Sequence, residues 1–234
     1  MTARGGHEKR PTYRSVRLVS QLATASSADL TADTRPRVLD AAEAVFAERG
    51  FGGATTRAIA ERAGIAKRML FYYFASKEVV YRAVLERVVS GMVGIHEQFR
   101  GDPGPIGLAE AMEGITHFAA ANLPAVRVLT REMMDGGPHV AELAEKYLGP
   151  LFAAGAAEVE RNMDAGIFRP GDPMHVLINV AGLTLYYFQM LPLLERIWKR
   201  DPLAPATLTE RAVAVRESLL YGLLQPAARG GIPS

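Results

Sequence analysis

An all-α fold is expected for these 234 residues, on three observations. Apolar residues recur three and four apart through most of the chain. No stretch alternates apolar and polar with the period of a strand. Glycine and proline clusters, rather than hairpin turns, divide the helical stretches. The layout expected is a three-helix unit with a helix-turn-helix at 34–80 and a larger helical domain at 81–226. A disordered basic extension at 1–33 precedes them, and 227–234 is expected to fray.

Each element has its own signal. Residues 1–33 show no period and many small polar residues, which favours disorder. At "TRPR" (34–37), Asp33 or Thr34 can cap a helix and Pro36 suits a first turn. Val38, Leu39, Ala42, Val45 and Phe46 then share a face, and Gly50 supplies the stop. Thr55 or Thr56 caps a second helix with Ile59, Ala60 and Ala63 on its buried stripe. Gly64 interrupts it, and a third helix is expected over about 66–74. Ser76 caps a fourth and longer one carrying Val80, Val84, Leu85 and Val88. Two short helices joined at a glycine, with a helix packed across them, make a helix-turn-helix. Further on, "GDPGP" (101–105), "DGGP" (135–138) and "GIFRPGDP" (166–173) punctuate helical sequence. Long final helices are expected at about 173–190 and 207–224.

Composition excludes several classes. Cysteine is absent, so neither a disulfide framework nor a thiolate metal site is possible, which fits a cytoplasmic protein. The N-terminus is basic without an apolar core, so no secretory leader is expected. No Lys, Arg, Asp or Glu occurs from Pro173 to Leu194. That run is long enough for a bilayer, but Asn179, Gln189, His175 and Pro192 interrupt it and no cationic flank accompanies it. A helix buried on two sides is the better reading, and no membrane partner is expected. Gly-x-Ser-x-Gly, His-Glu-x-x-His and phosphate-binding glycine loops are missing. His7, His96, His117, His139 and His175 lack ligand spacing, so neither an enzyme, a metal site nor a cofactor is expected.

Charge is unevenly placed. The formal total is +2, with 27 Lys and Arg against 25 Asp and Glu. Residues 1–90 carry 15 of those cations and 9 of the anions, a net of +6, which leaves −4 for the rest. A basic first third suggests a polyanionic partner. On the third helix, Leu70 and Phe74 face Ile59 and Ile65. Lys67, Arg68, Phe71 and Tyr72 occupy the other side. Two cations beside two rings, presented by a helix-turn-helix, make a surface suited to the DNA major groove. Lys77 adds charge at the start of the fourth helix, where a phosphate is favoured.

The stretch "TTRAIAERAGIAKRMLFYYFASKEVVYRAV", residues 55–84, resembles the DNA-binding domain of TetR-type transcriptional regulators. The shared pattern is a Thr-led second helix, Ile-Ala, Ala-Gly-aliphatic, aromatics ending in Phe, and an acceptor-Lys-Glu start to the fourth helix. The resemblance implies phosphate contacts from Thr55, Thr56, Tyr72 and Lys77. It implies base-edge contacts within reach of Arg57, Lys67, Arg68, Met69 and Phe71, with Gly64 as the turn glycine. This chain departs at Ala66, where a capping Ser is common, at Arg68, where Gly is common, and at Tyr73, where His is common. Loss of the cap costs a short helix about 1 kcal/mol.

By the same resemblance the remainder is a ligand-binding and dimerisation domain, with a homodimer formed through the last two long helices. The implied function is a repressor released from a near-palindromic operator on double-stranded DNA by a small-molecule effector. Candidate pocket residues are Met112, His117, Phe118, Met133, Met134, Tyr147, Phe152 and Tyr187. The alternative is a DNA binder without an effector, in which the C-terminal core is filled.

Overall fold

The computed structural model describes residues 27–99 and 104–225. The expectations for residues 1–26 and for the C-terminal end lie outside the described residues. The first helix, α1 (Ser27–Gly53), begins earlier than its sequence signals suggest. Residues 27–33 are already helical, and Pro36 lies inside the helix rather than in its first turn. Disorder through residue 33 is therefore corrected for that segment. Proline removes one N–H bond and crowds the carbonyl four residues back, which makes it a start signal without forbidding a preceding turn. Gly50 breaks α1 with φ 68°, at the expected stop.

The head of the molecule is completed by α2 (Thr56–Arg62) and α3 (Lys67–Tyr73). Helix α4 (Lys77–Phe99) leaves the head and enters the larger part, formed by α5 (Pro105–Ala121), α6 (Leu123–Met134), α7 (Val140–Leu143), α8 (Gly149–Asp164), α9 (Pro173–Gln189), α10 (Leu191–Ile197) and α11 (Pro205–Leu223). Between α7 and α8 runs one π turn, Ala144–Leu148. Pro150 follows it, unable to donate to Lys146 or to pack against its carbonyl, and the α-helical register breaks there.

Helix α1 packs on α2, α4 and α6. Helix α4 packs on α1, α5 and α6, so it belongs to both parts. One continuous core runs from Val38, Ile59, Leu70 and Phe74 in the head through Leu85 and Val88 to Leu129 and Phe188. A second cluster gathers Met112, Val159, Phe168, Val180, Leu219 and Leu220 where α5, α8, α9 and α11 meet. The "GIFRPGDP" junction fastens the end of α11. Arg169 N–H donates to the Leu223 carbonyl at 2.8 Å, and Gln225 N–H donates to Ile167 at 3.1 Å. Apart from this isolated bridge between Phe168 and Leu224, the described residues are helices and their connections.

The charge-free segment covers α9 and the first turn of α10, two helices divided at Met190 by a 60° bend. No single helix among the described residues is long and apolar enough to cross a membrane. One face of α9, with Val176, Val180, Thr184 and Phe188, is buried. Met174, Ile178 and Tyr186 on its other side are exposed in the single chain.

Candidate DNA-reading helix and cavity

The geometry of the head begins with its turn. Thr55 caps α2, its hydroxyl accepting the Ala58 N–H at 3.1 Å. At the other end Ile65 N–H reaches the Ala60 carbonyl at 3.0 Å and Gly64 N–H reaches Glu61 at 3.1 Å. This pair of bonds needs a left-handed residue between them, and Gly64 has φ +66°. Arg37 of α1 donates to the Ala63 carbonyl at 2.8 Å and ties the turn to the first helix. As expected, Ala66 gives α3 no side-chain cap, while Ser76 Oγ accepts the Val79 N–H at 3.2 Å at the start of α4.

Helix α3 divides its residues as its sequence implies. Leu70 and Phe74 are sealed in the core. Phe71 is 44% exposed and Tyr72 76% exposed, beside the exposed Lys67 and Arg68. The Lys67 ammonium lies 5.7 Å from the Phe71 ring centroid, an attraction that steadies both side chains without consuming the charge. Arg68 is exposed and makes no ion pair among the described residues. Arg57, also exposed, pairs with Glu61 at 2.7 Å one turn along α2. Met69 and Thr56 are half-buried. Tyr73 meets Tyr72 edge to face at 5.2 Å, and its hydroxyl is buried without a hydrogen-bond partner among the described residues.

Lys77 is more committed than its sequence position suggests. Its Nζ donates to the carbonyls of Phe51 at 2.8 Å and Ala54 at 3.1 Å. It also sits 4.2 Å from the Phe51 ring centroid. Two of its three N–H donors therefore hold the α1–α2 connection against α4.

In the larger part, a cavity of about 250 Å³ lies between α4, α5, α8 and α9. Its walls are apolar over most of their extent, with His96, Glu158, Arg161, Asn162 and Thr184 as the polar exceptions. Space exists there because the surrounding helices turn small residues inward, among them Gly107, Ala111, Ala154, Gly155 and Ala181.

Residues 38–84 match the family described as "Bacterial regulatory proteins, tetR family", and residues 106–218 match "Tetracyclin repressor-like, C-terminal domain". The chain belongs to the TetR family. It is a DNA-binding transcriptional regulator. It is 29% identical over 161 residues to the HTH-type transcriptional regulator RutR of Escherichia coli (strain K12), covering 68% of this chain and 76% of that protein. It is 28% identical over 167 residues to the HTH-type transcriptional repressor NicS of Pseudomonas putida, covering 66% and 75%. The fold is shared with the TetR family regulator PfmR of Thermus thermophilus, with a TM-score of 0.67 at 21% identity over 81% of this chain and 100% of that one.

Within this TetR-family chain, the nine residues expected to meet DNA all lie in the head around α2, α3 and the start of α4. The pocket expectations fare differently. Phe152 alone among the eight lines the cavity. Met112 is one residue past Ala111, and that rotation of about 100° places it in the second core cluster instead. His117 is exposed, its Nδ1 3.0 Å from the Glu113 carbonyl. Phe118 packs over Gly91 of α4, where a Cβ would lie 2.5 Å from its ring. Met133 and Met134 are exposed at the end of α6. Tyr147 packs against the main core. Tyr187 is buried with its hydroxyl donating to the Pro202 carbonyl at 2.7 Å. The residues missed were the small ones that leave the space and His96, which sits on α4 two turns beyond Val89.

Proposed function

We propose that the chain is a homodimeric repressor that leaves a near-palindromic operator when a small molecule occupies the cavity, acting in the cytoplasm. The observation that carries this reading is that α4 is common to both sites. Its first residue, Lys77, clamps the head, and Met92, Ile95 and His96 near its far end line the cavity. A ligand that prefers one placement of α4 shifts the population of head positions by that difference in affinity. A filled core would favour a DNA binder without an effector, and the cavity speaks for the effector.

In this reading Thr55, Thr56, Tyr72 and Lys77 meet phosphates. Arg57, Lys67, Arg68, Met69 and Phe71 reach base edges. The partner subunit covers the apolar residues left exposed on α9 and α11, namely Met174, Ile178, Tyr186, Val213 and Tyr221. An isologous contact of this kind sets two α3 helices about one turn of DNA apart. The test is selection of bound sequences from random DNA, followed by a release screen against small molecules. Two-fold symmetric sites and at least one releasing compound are expected. Asymmetric sites, or a complex that no cavity-binding compound dissociates, would overturn it.

A further inference from the structure

The cavity is polar at one end. Helix α4 ends at Phe99 shortly after His96, and α5 begins beyond Gly104. A Cβ on Gly104 would stand 3.6 Å from Asn162 Oδ1. The start of α5 therefore meets the last turn of α8 at Asn162, and His96 near the end of α4 lines the cavity together with Glu158, Arg161 and Asn162. Toward the other end the walls are Met92, Ala111, Ile115, Leu151, Phe152 and Leu185.

Several of the polar groups are engaged with one another or with backbone. Thr184 Oγ1 donates to the Val180 carbonyl at 2.6 Å. Asn162 Nδ2 donates to the Glu158 carbonyl at 2.9 Å and to Glu158 Oε1 at 3.2 Å. Glu158 Oε2 pairs with Arg161. Among the buried side-chain polar atoms of the lining, one lacks a partner: His96 Nε2 is buried and has no hydrogen bond among the described residues. A buried polar atom left unpaired is unfavourable, and supplying its partner is correspondingly favourable. Charge is balanced too, since the Glu158 carboxylate and Arg161 guanidinium neutralise each other. An ionised ligand would have to shed its water with no free counter-charge in the walls.

We propose that the cavity takes an uncharged, largely apolar molecule bearing one hydroxyl or carbonyl group, and that His96 Nε2 is the hydrogen-bond partner of that group. A hydroxyl donates to Nε2 when that nitrogen is bare, and a carbonyl accepts from it when it carries the proton. This rests on the cavity being the effector site.

The test uses three probes of one shape: 4-propylphenol, propylbenzene and 4-propylbenzoate, titrated into the full chain by calorimetry. The phenol is expected to bind about tenfold tighter than either of the others, the increment of one well-placed hydrogen bond. His96→Leu is expected to remove that advantage while leaving propylbenzene within about threefold, and His96→Gln, which keeps a donor and an acceptor, to restore most of it. Benzoate binding as tightly as phenol, or a phenol advantage that survives His96→Leu, would overturn the assignment. Should His96→Leu fail to fold, the wild-type probe series and His96→Gln decide it. Failure of all three probes to bind, or binding that persists in Ala111→Phe, would overturn the cavity as a ligand site altogether. Probes that bind as expected yet leave the DNA complex intact overturn the release mechanism and leave the role of His96 standing.

Discussion

The phenol of Tyr81, on the second turn of α4, donates a hydrogen bond of 2.9 Å to Glu132 Oε2 on α6. Both groups are buried, and the other carboxylate oxygen accepts the His139 backbone N–H at 2.9 Å. Burial first, and then this bond to Glu132, push the Tyr81 hydroxyl above its usual pKa of 10.0. The knot ties the helix that carries the head to the domain that holds the cavity. Tyr81→Phe leaves the carboxylate short of a donor and is expected to lower stability by about 1–3 kcal/mol at neutral pH, measured by thermal or denaturant unfolding.

The same bond has a pH signature. With a raised pKa, the folded chain keeps a proton that the unfolded chain releases above pH 10. The contribution of Tyr81 is therefore fully present below that pH and is lost as the pH rises beyond it. The stability gap between wild type and Tyr81→Phe is expected to narrow above pH 10, in unfolding curves recorded side by side. A gap that widens there would contradict the sign.

Arg68 and Lys77 are expected to fail in different ways. Arg68→Ala removes an exposed guanidinium that makes no ion pair among the described residues. It should leave stability within about 0.5 kcal/mol while relaxing preference at one base position per half-site, by about 1–3 kcal/mol of discrimination. Competition binding against singly substituted operators checks this.

Lys77→Ala should lower affinity for every sequence by a similar factor and reduce the salt dependence of binding by about one counterion per half-site. Unlike Arg68→Ala, it should also destabilise the head, because two backbone carbonyls lose a charged donor. A loss of about 1–3 kcal/mol in unfolding experiments is expected. Normal stability with weakened binding would mean that the clamp contributes nothing to the fold.

Gly91→Ala places a methyl group about one bond length too close to the Phe118 ring, at 2.5 Å. The ring must move, and α4 and α5 separate locally, so a loss of about 1–3 kcal/mol is expected. The same variant should alter ligand affinity, since Met92 and Ile115 beside the contact line the cavity. Calorimetry and thermal unfolding on one sample measure both.

The head was readable from sequence because its signals are local. A cap needs a Thr at one position, a left-handed turn needs a Gly, and a seven-residue helix divides into a sealed and an open face by spacing alone. Phe74 and Leu70 against Phe71 and Tyr72 followed from that arithmetic. The start of α1 did not, because Pro36 reads as a boundary although residues 27–33 precede it as helix. The cavity was illegible for another reason. Large Met and aromatic side chains suggest a lining, yet such side chains fill space, and Met112 and Phe118 do so. The cavity is made by missing atoms at Ala154 and Gly155 in "GPLFAAGAAE" on α8 and at Ala111 on α5. Which of several small-residue faces stays unfilled depends on helix pairing that no local pattern states. Lys77 shows a third limit, as its carbonyl partners come from the end of α1 and the connection after it, more than twenty residues away.

The length of α4 has a mechanical meaning. At 1.5 Å per residue, about 28 Å separate His96 from Lys77 along its axis. A tilt of about 5° pivoting at the cavity end would carry the Lys77 end through about 2.5 Å. In a two-fold pair both ends swing, so the distance between reading helices changes by as much as twice that, beyond the roughly 3.4 Å rise of one base-pair step. In the proposed dimer, a tilt of a few degrees about the cavity end would thus be geared up into a misfit of register on the duplex.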